Sequence, residues 1–210
     1  TGDFNADGKV DLAVGAYLWT TSTGRSYVFY NDGTVNFGTV ACSGTPAACT
    51  AANADAIISG QVTSDNLGWS LAAGDFNADG KTDLAVGAHG YDVFSNNGRA
   101  YVFYNGSIIT ENASGADVFF TGADSADGIG YSLAAIDINF DGETDLVAGG
   151  NGKVFIYYND GTYGAADVTI TSSGGINFGG SMTEGDLNAD GRVDLVVGAD
   201  SYSSLTGRAY

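Results

Sequence analysis

A nine-residue pattern of acidic and amide side chains, Asp-x-Asn-x-Asp-Gly-x-x-Asp, occurs four times in this sequence of 210 residues. The copies start at Asp3, Asp75, Asp137 and Asp186, and each runs directly into an apolar stretch. Oxygen-bearing side chains spaced two residues apart, with a glycine for the sharp turn, are what a hard cation requires from a short loop. Chance is a poor explanation for four copies, so the pattern predicts a repeat protein built around calcium.

The distance between copies indicates the type of repeat. The spacing between loop starts averages about 61 residues, and repeats of this size that contain several strands are typical of propeller blades. The second copy predicts strands over Gly68–Gly74, Asp83–Ala88, Arg99–Asn105 and Asp117–Thr121. Asn-Gly or Asp-Gly pairs follow the Tyr-rich strands and predict hairpin turns.

The predicted fold class is therefore all-β, a partial β-propeller of four-stranded antiparallel blades with the calcium loops between strands one and two. The predicted units are an incomplete blade over 1–62, blades over 67–122 and 129–171, and an incomplete blade over 178–210. A closed propeller has no open sheet edges, whereas these units would leave edges unpaired. We therefore expect the chain to be a fragment of a longer polypeptide.

Charge and hydropathy exclude two classes of partner. The formal net charge is -18, and the acidic loops contribute much of it. All 7 basic residues occupy either the seventh loop position or the start of an aromatic strand, so no basic patch remains for nucleic-acid phosphates. The sequence contains no run of 18 apolar residues, so it predicts no transmembrane helix.

The two cysteines, Cys42 and Cys49, lie in the part of the first unit that exceeds the others in length. A zinc site would need more ligands, so a local disulfide is the preferred interpretation, with free thiols as the alternative. A disulfide indicates an oxidising setting outside the cell or in the periplasm. Calcium loops favour the same setting, because weak sites fill at the millimolar calcium found outside cells.

Two further elements recur around each acidic loop. A Phe-Gly pair at Phe178-Gly179 is varied to Leu67-Gly68 and Ile129-Gly130, and a Gly-Ala pair follows each loop except the third, which has Gly149-Gly150. With these elements the chain resembles the FG-GAP repeat, the blade of the integrin α-subunit β-propeller and of many bacterial secreted proteins. The proline that ends the family motif is absent from every copy. The resemblance implies a seven-bladed propeller, of which about half is present.

The resemblance also implies the calcium ligands. Side-chain oxygens come from loop positions one, three, five and nine, and a backbone carbonyl comes from position seven. The implied ligands are Asp3, Asn5, Asp7, Lys9 and Asp11; Asp75, Asn77, Asp79, Lys81 and Asp83; Asp137, Asn139, Asp141, Glu143 and Asp145; and Asp186, Asn188, Asp190, Arg192 and Asp194. We expect all four sites to bind Ca²⁺.

Two alternatives compete with this interpretation of the loops. An EF-hand or dockerin loop would place its closing acidic residue at position twelve, ahead of a helix, but position twelve is apolar in every copy. The other alternative is an acidic, solvated turn without a metal.

In a meander of strands, successive connections alternate between two faces, so the loops from strand two to three lie opposite the calcium loops. These loops contain aromatic residues among small polar ones, a composition that suits a protein or sugar ligand. The candidate ligand-binding residues are Tyr17, Trp19, His89, Tyr91, Phe94 and Tyr202. The alternative is that several of these rings pack between blades.

No catalytic constellation is evident, so we expect no enzymatic activity in this segment. His89 is the only histidine, and the acidic pair Asp124 and Asp127 has the composition of an ordinary turn. The expected function is calcium-dependent recognition or adhesion outside the cell or at its surface, with a protein or glycan partner. The alternatives are a propeller lectin and an accessory domain of a secreted hydrolase or lyase.

Overall fold

The computed structural model describes residues 1–33, 50–92, 94–161, 163–172, 175–202 and 206–210. The described chain is all-β and forms four sheets that follow the four repeats along the sequence. We call these sheets blades one to four. The predicted disulfide between Cys42 and Cys49 lies outside the described residues.

Within each blade, consecutive strands pair antiparallel. Blade one contains β1 (Leu12–Ala16), β2 (Arg25–Phe29) and β3 (Ala56–Ser59), and an isolated bridge joins Gly2 to Asp11. Blade two contains β4 (Leu71–Gly74), β5 (Asp83–Ala88), β6 (Arg99–Phe103) and β8 (Val118–Thr121). Blade three contains β9 (Ser132–Ile136), β10 (Asp145–Gly149), β11 (Lys153–Tyr157) and β12 (Val168–Thr171). Blade four contains β13 (Gly175–Gly185), β14 (Asp194–Tyr202) and β15 (Arg208–Ala209).

Several features differ from the sequence-based expectation. The short strand β7 (Glu111–Asn112) leaves the second repeat and pairs parallel with β3, at the outer edge of blade one. A short turn with positive φ at Thr20, Thr21 and Ser22 occupies Trp19–Ser22, inside the loop predicted between strands two and three of blade one. In blade four, β14 continues to Tyr202. The loop predicted from strand two to three of this blade, over 200–206, therefore does not begin at residue 200. Short 3-10 segments occupy Ala51–Asn53 and Ala113–Gly115.

The core lies between adjacent blades. Three clusters of buried apolar side chains fill the spaces between blades one and two, two and three, and three and four. In β5, Leu84 and Val86 pack toward blade one, and Ala85 packs toward blade three. Successive side chains of a strand point to opposite faces, so a strand covered on both faces is a continuous apolar run. This is why each acidic loop leads into an uninterrupted apolar sequence.

Glycine pairs allow the blades to approach closely at the inner strands. A side chain at Gly87 would overlap the backbone carbonyl of Gly130 in the next blade. The same contact joins Gly15 to Gly68 and Gly149 to Gly179. The glycine of each Gly-Ala or Gly-Gly pair therefore touches the glycine of the next blade's Phe-Gly-type pair.

Hydrogen bonds add to these glycine contacts, and we call the two together the seam. Ser70 Oγ donates to the Gly130 carbonyl, and Ser132 Oγ donates to the Gly179 carbonyl, both at 2.7 Å. The same seam therefore joins blade two to blade three and blade three to blade four. It fixes how far one blade lies from the next.

We expect Gly87→Ala to destabilise the protein, because the added methyl group would displace the Gly130 backbone. Overpacking of this kind costs about 1–3 kcal/mol. Chemical denaturation followed by circular dichroism would measure the loss. Gly164→Ala is the control, because a side chain at Gly164 meets no atom within 4 Å. Equal stability of the two variants would contradict the proposed packing role of the seam.

Candidate metal-binding loops and the opposite face

The four acidic loops share one backbone conformation. At position four, a residue other than glycine adopts a left-handed conformation, with φ between 56° and 63°. At position six, glycine has φ between 81° and 94°. These residues are Ala6, Ala78, Phe140 and Ala189 at position four, and Gly8, Gly80, Gly142 and Gly191 at position six. Glycine adopts such angles at no steric cost, which explains why position six is glycine in every copy.

The side-chain oxygens at positions one and three point to the inside of this turn. In the first loop, the Asp7 N–H donates to Asp3 Oδ1 and to Asn5 Oδ1, both at 3.0 Å. The Gly8 N–H donates to Asp3 Oδ2 at 2.8 Å. The other loops repeat these bonds through the N–H groups of Asp79, Gly80, Asp141, Gly142, Asp190 and Gly191. The side-chain oxygens of positions one and three therefore accept the same N–H group, that of position five, and lie close together.

The aspartate at position nine is buried in the first three loops, where it connects three parts of its blade. In blade two, Asp83 Oδ2 accepts the Phe76 N–H at 2.9 Å, and Asp83 Oδ1 accepts the Asn105 N–H at 2.8 Å. Phe76 belongs to the acidic loop, and Asn105 belongs to the turn after β6. Equivalent bonds join Asp11 to Phe4 and Asn31, and Asp145 to Ile138 and Asn159. In blade four, Asp194 accepts the Leu187 N–H at 2.9 Å.

Burial makes these carboxylates electrostatically costly. Loss of solvation, with a smaller effect of the Asp79 and Asp75 charges, raises the pKa of Asp83 to about 6, against the two N–H bonds that lower it. Burial also raises the pKa of Asp11 and of Asp145. A positive charge at the loop would favour the ionised form of each of these groups.

The exposed charges of the loops supply little of that compensation. Lys9 Nζ lies 3.1 Å from Asp7 Oδ2, and its hydrogen bond lowers the pKa of Asp7. Lys81 Nζ lies 3.8 Å from Asp79 Oδ2. Pairs this exposed contribute little to stability.

The residues of each loop fit a hard cation such as Ca²⁺. Their donors are oxygen atoms only, they are gathered in one turn, and they include several carboxylates, which is the donor chemistry that calcium prefers. Among the described residues, no three acidic side chains already converge on one point. The loop N–H groups hold the oxygens instead, so a cation would compete with those N–H groups for the same oxygens.

In blades two and three, an asparagine side chain connects the loop to that of the preceding blade. Asn105 Nδ2 donates to the Asp3 carbonyl at 3.2 Å and to the Thr82 carbonyl at 3.3 Å. Asn159 Nδ2 donates to the Asp75 carbonyl at 3.3 Å. Each asparagine therefore touches position one of one loop and, through its N–H, position nine of the next. Asn31 differs, since its Nδ2 donates to Val10 within its own blade.

We expect Asn105→Ala to lower the free energy of unfolding by about 1 kcal/mol or more, because partly buried acceptors lose their donor. Asn31→Ala is the matched control, since the two bonds that it removes, to Val10 and from Gly33, both lie inside one blade. Denaturant titrations of both variants would make the comparison. Equal losses would show that the bond between blades adds nothing to stability.

The opposite face carries a continuous row of aromatic rings. Ring centroids lie 4.4 Å apart for Tyr17 and Trp69, 4.4 Å for Trp69 and His89, and 4.1 Å for His89 and Tyr131. Tyr17 and His89 follow β1 and β5, whereas Trp69 and Tyr131 precede β4 and β9. The row therefore alternates between connections from strand two to three and connections into strand one. Trp69 is 40% exposed.

The candidate ligand-binding residues lie in different settings. Tyr17 and His89 belong to the aromatic row. Trp19 stacks under the Arg25 guanidinium at 3.4 Å, and Tyr91 stacks under that of Arg99 at 3.7 Å. Phe94 is 98% exposed. The side chain of Tyr202 lies outside what the structure describes.

Sequence analysis did not single out Trp69 and Tyr131. The signal that marks them is their shared position, directly after the Gly68 and Gly130 of the Phe-Gly-type pairs. Both rings face the same side as the loops from strand two to three.

The acidic pair considered for acid–base chemistry forms an ion-pair cluster. Lys153 Nζ lies 2.9 Å from Asp124 Oδ2 and 2.7 Å from Asp127 Oδ1. Hydrogen bonds to Asp127 and Asp124 raise the pKa of Lys153. Asp127 Oδ2 also accepts the Asp124 N–H. The cluster ties this loop to the start of β11.

His89 makes stability depend on pH. Burial lowers its pKa to about 4, so the unfolded chain binds a proton at higher pH than the folded chain. The contribution of neutral His89 to stability is complete above pH 6.5 and declines as pH falls toward 4.

We expect His89→Phe, which keeps an aromatic ring at this position, to reduce the fall in melting temperature between pH 6.5 and pH 4. Parallel slopes for the variant and the unmodified protein would contradict this assignment.

Comparison with known proteins agrees with this architecture of propeller-like blades that each contain an acidic loop. A family model described as the FG-GAP repeat matches residues 1–29 and 67–103, and one described as an FG-GAP-like repeat matches residues 137–197. The chain belongs to the FG-GAP repeat family, as the sequence motifs predicted.

Relatives among curated proteins fall into two groups. Phosphatidylinositol-glycan-specific phospholipase D of Mus musculus is 35% identical over 151 residues, which cover 69% of this chain and 17% of that protein. The Bos taurus protein of the same name is 32% identical, with coverage of 79% and 20%. Integrin alpha-PS3 of Drosophila melanogaster is 33% identical, with coverage of 48% and 9%. The chain thus spans about a fifth or less of the length of these relatives.

Among the described residues, no helix is long and apolar enough to cross a membrane.

Proposed function

We propose that this chain is a calcium-stabilised extracellular recognition module that binds a protein or glycan partner and performs no catalysis itself. The observation that supports the proposal most directly is the separation of its two faces. The acidic loops lie at one end of the strands, and the aromatic row with its exposed Trp69 lies at the other. Metal binding and ligand binding therefore use different surfaces.

In this proposal, each loop holds one Ca²⁺ through the side chains of positions one, three, five and nine and the carbonyl of position seven. In the second loop these are Asp75, Asn77, Asp79 and Asp83, with the Lys81 carbonyl. The buried carboxylate at position nine adds its charge to the two at positions one and five. Bound calcium supplies the positive charge that offsets their mutual repulsion.

The proposed effect of calcium is structural. Gathered carboxylates repel one another by roughly 1–4 kcal/mol per close pair, depending on screening. At calcium one hundred times the dissociation constant, each independent site adds about 2.7 kcal/mol of stability. Four such sites would decide whether the blades stay folded.

The proposed setting is outside the cell or at its surface. Loops that bind calcium weakly fill only at millimolar concentrations of the ion. The similarity to integrin alpha subunits supports a role in adhesion.

A second candidate function is that of an accessory domain in a secreted hydrolase or lyase. The similarity to phosphatidylinositol-glycan-specific phospholipase D, which covers 69% of this chain, favours it. A catalytic domain encoded in the same polypeptide would support this candidate over adhesion.

We expect EGTA to lower the melting temperature substantially, because the carboxylates lose their counter-charge. Differential scanning calorimetry in millimolar calcium chloride and in EGTA would measure the shift. Magnesium added back in place of calcium controls for general ionic effects. A melt that is unchanged by the chelator would rule out metal-dependent stability.

Asp79→Ala tests one loop alone. Isothermal titration calorimetry should show one fewer calcium ion than in the unmodified protein, with the other sites retained. Glu184→Gln removes one negative charge outside the loops and should leave the number of ions unchanged. An unaltered stoichiometry in Asp79→Ala would mean that the second loop binds no calcium.

A further inference from the structure

One position in the aromatic face changes character along the chain. The residue after each Phe-Gly-type pair is Trp69 in blade two, Tyr131 in blade three and Gly180 in blade four. Each is followed by serine, so the three positions are equivalent in the repeat. The aromatic row therefore stops at blade four for lack of a ring.

A cavity of about 260 Å³ lies where the row stops. Its lining includes Trp69, Tyr131, Asn151, Asn177, Ser181 and Asp200. A register shift between β13 and β14 falls between Phe178 and Ser181 and includes Gly180. Irregularities of this kind commonly re-aim side chains beside binding sites.

The cavity combines an aromatic wall with a polar wall. The described residues form no hydrogen bond with the Asn151 side-chain amide, and that residue is exposed. Asn177 Nδ2 donates to Asp200 Oδ1 at 2.9 Å, and Ser201 Oγ donates to the same atom at 2.9 Å. The hydrogen bond from Asn177 is the main cause that lowers the pKa of Asp200, and the bond from Ser201 lowers it further. Asp200 is therefore an ionised acceptor at neutral pH.

This set of groups discriminates between ligand classes. None of the described residues that line the cavity is basic, so an anionic ligand would meet Asp200 without a counter-charge. A cationic side chain would pair with Asp200 but would offer no acceptor to the Asn151 amide. A hydroxyl group both donates and accepts, so it matches the amide and the carboxylate together.

The geometry points to a binding site for a neutral pyranose ring of a glycan, with its apolar face on Trp69 or Tyr131 and its hydroxyl groups on Asn151 and Asp200. This inference rests on the proposed recognition function and names its ligand class. The volume is below the 300–1,000 Å³ of typical small-molecule pockets, which suits one sugar ring.

A neighbouring cavity extends the same chemistry. It measures about 220 Å³, shares Tyr131 and Asn151 with the first, and is also lined by Ser64, Asn66 and Asn96. Small polar side chains thus flank Tyr131 on both sides. A second sugar of the same glycan would find comparable partners there.

The test is a titration of the 210-residue chain in millimolar calcium chloride with a panel of neutral methyl pyranosides. Ligand-observed NMR detects binding, and calorimetry gives the dissociation constant. We expect saturable binding of at least one pyranoside. Gly180→Tyr should weaken it by roughly tenfold or more, because Gly180 lines the cavity and a ring at this position would take up its volume.

Matched variants separate occlusion from misfolding. Gly164→Tyr introduces the same side chain where a Cβ meets no atom within 4 Å, so its affinity should equal that of the unmodified chain. Asn151→Ala removes an exposed amide and should weaken binding without lowering the melting temperature. Calcium-dependent melts of every variant verify folding.

Three outcomes would overturn the site. No pyranoside binds, or Gly180→Tyr binds as well as the unmodified chain, or the cavity takes arginine methyl ester in preference to every sugar. If the calcium-dependent melt persists in those cases, the sugar site fails and the calcium-stabilised module stands. Loss of the calcium effect itself would instead remove the proposed function.

Discussion

The buried carboxylate at position nine of the first three acidic loops holds the repeat together. Asp83 ends the loop, begins β5, and accepts N–H groups from both Phe76 and Asn105. One side chain thereby fixes the first hairpin of the blade against the turn after its third strand. Burial that isolates this group from water also raises its pKa, so the bond network works best with a positive charge nearby. Fold and proposed metal site therefore depend on the same atoms.

The blades depend on one another through two kinds of contact at opposite ends of the strands. Near the acidic loops, Asn105 and Asn159 donate to carbonyls of the preceding blade. Near the aromatic face, paired glycines and the Ser70 and Ser132 hydroxyl groups bring backbones together. Apolar clusters fill the space between these ends. Blades one to three are thus held to one another at both ends, which fixes their angles as well as their distances.

The sequence predicted the structural features that a local residue pattern encodes. Spaced oxygens with glycine at position six gave the loops, and the apolar run after Asp83 gave β5 with its observed bounds. Contacts between distant residues leave no such pattern. The parallel pairing of β7 with β3, the stacking of Arg25 on Trp19 and the link from Asn105 to Asp3 all depend on how blades meet. Trp69 was missed because a ring that enters a strand has the same local pattern as a core residue.

The repeat places its variable residues where variation costs little. Positions in the seam between blades must be glycine or serine, because the space is already filled. The residue after each Phe-Gly-type pair faces outward at the end of the strand, so it changes from Trp69 to Tyr131 to Gly180 while the seam stays constant. Such a position alters the shape of the face without altering the fold. Under the proposed function, single substitutions at this position would change ligand specificity on one face and leave the acidic loops on the other face unaltered.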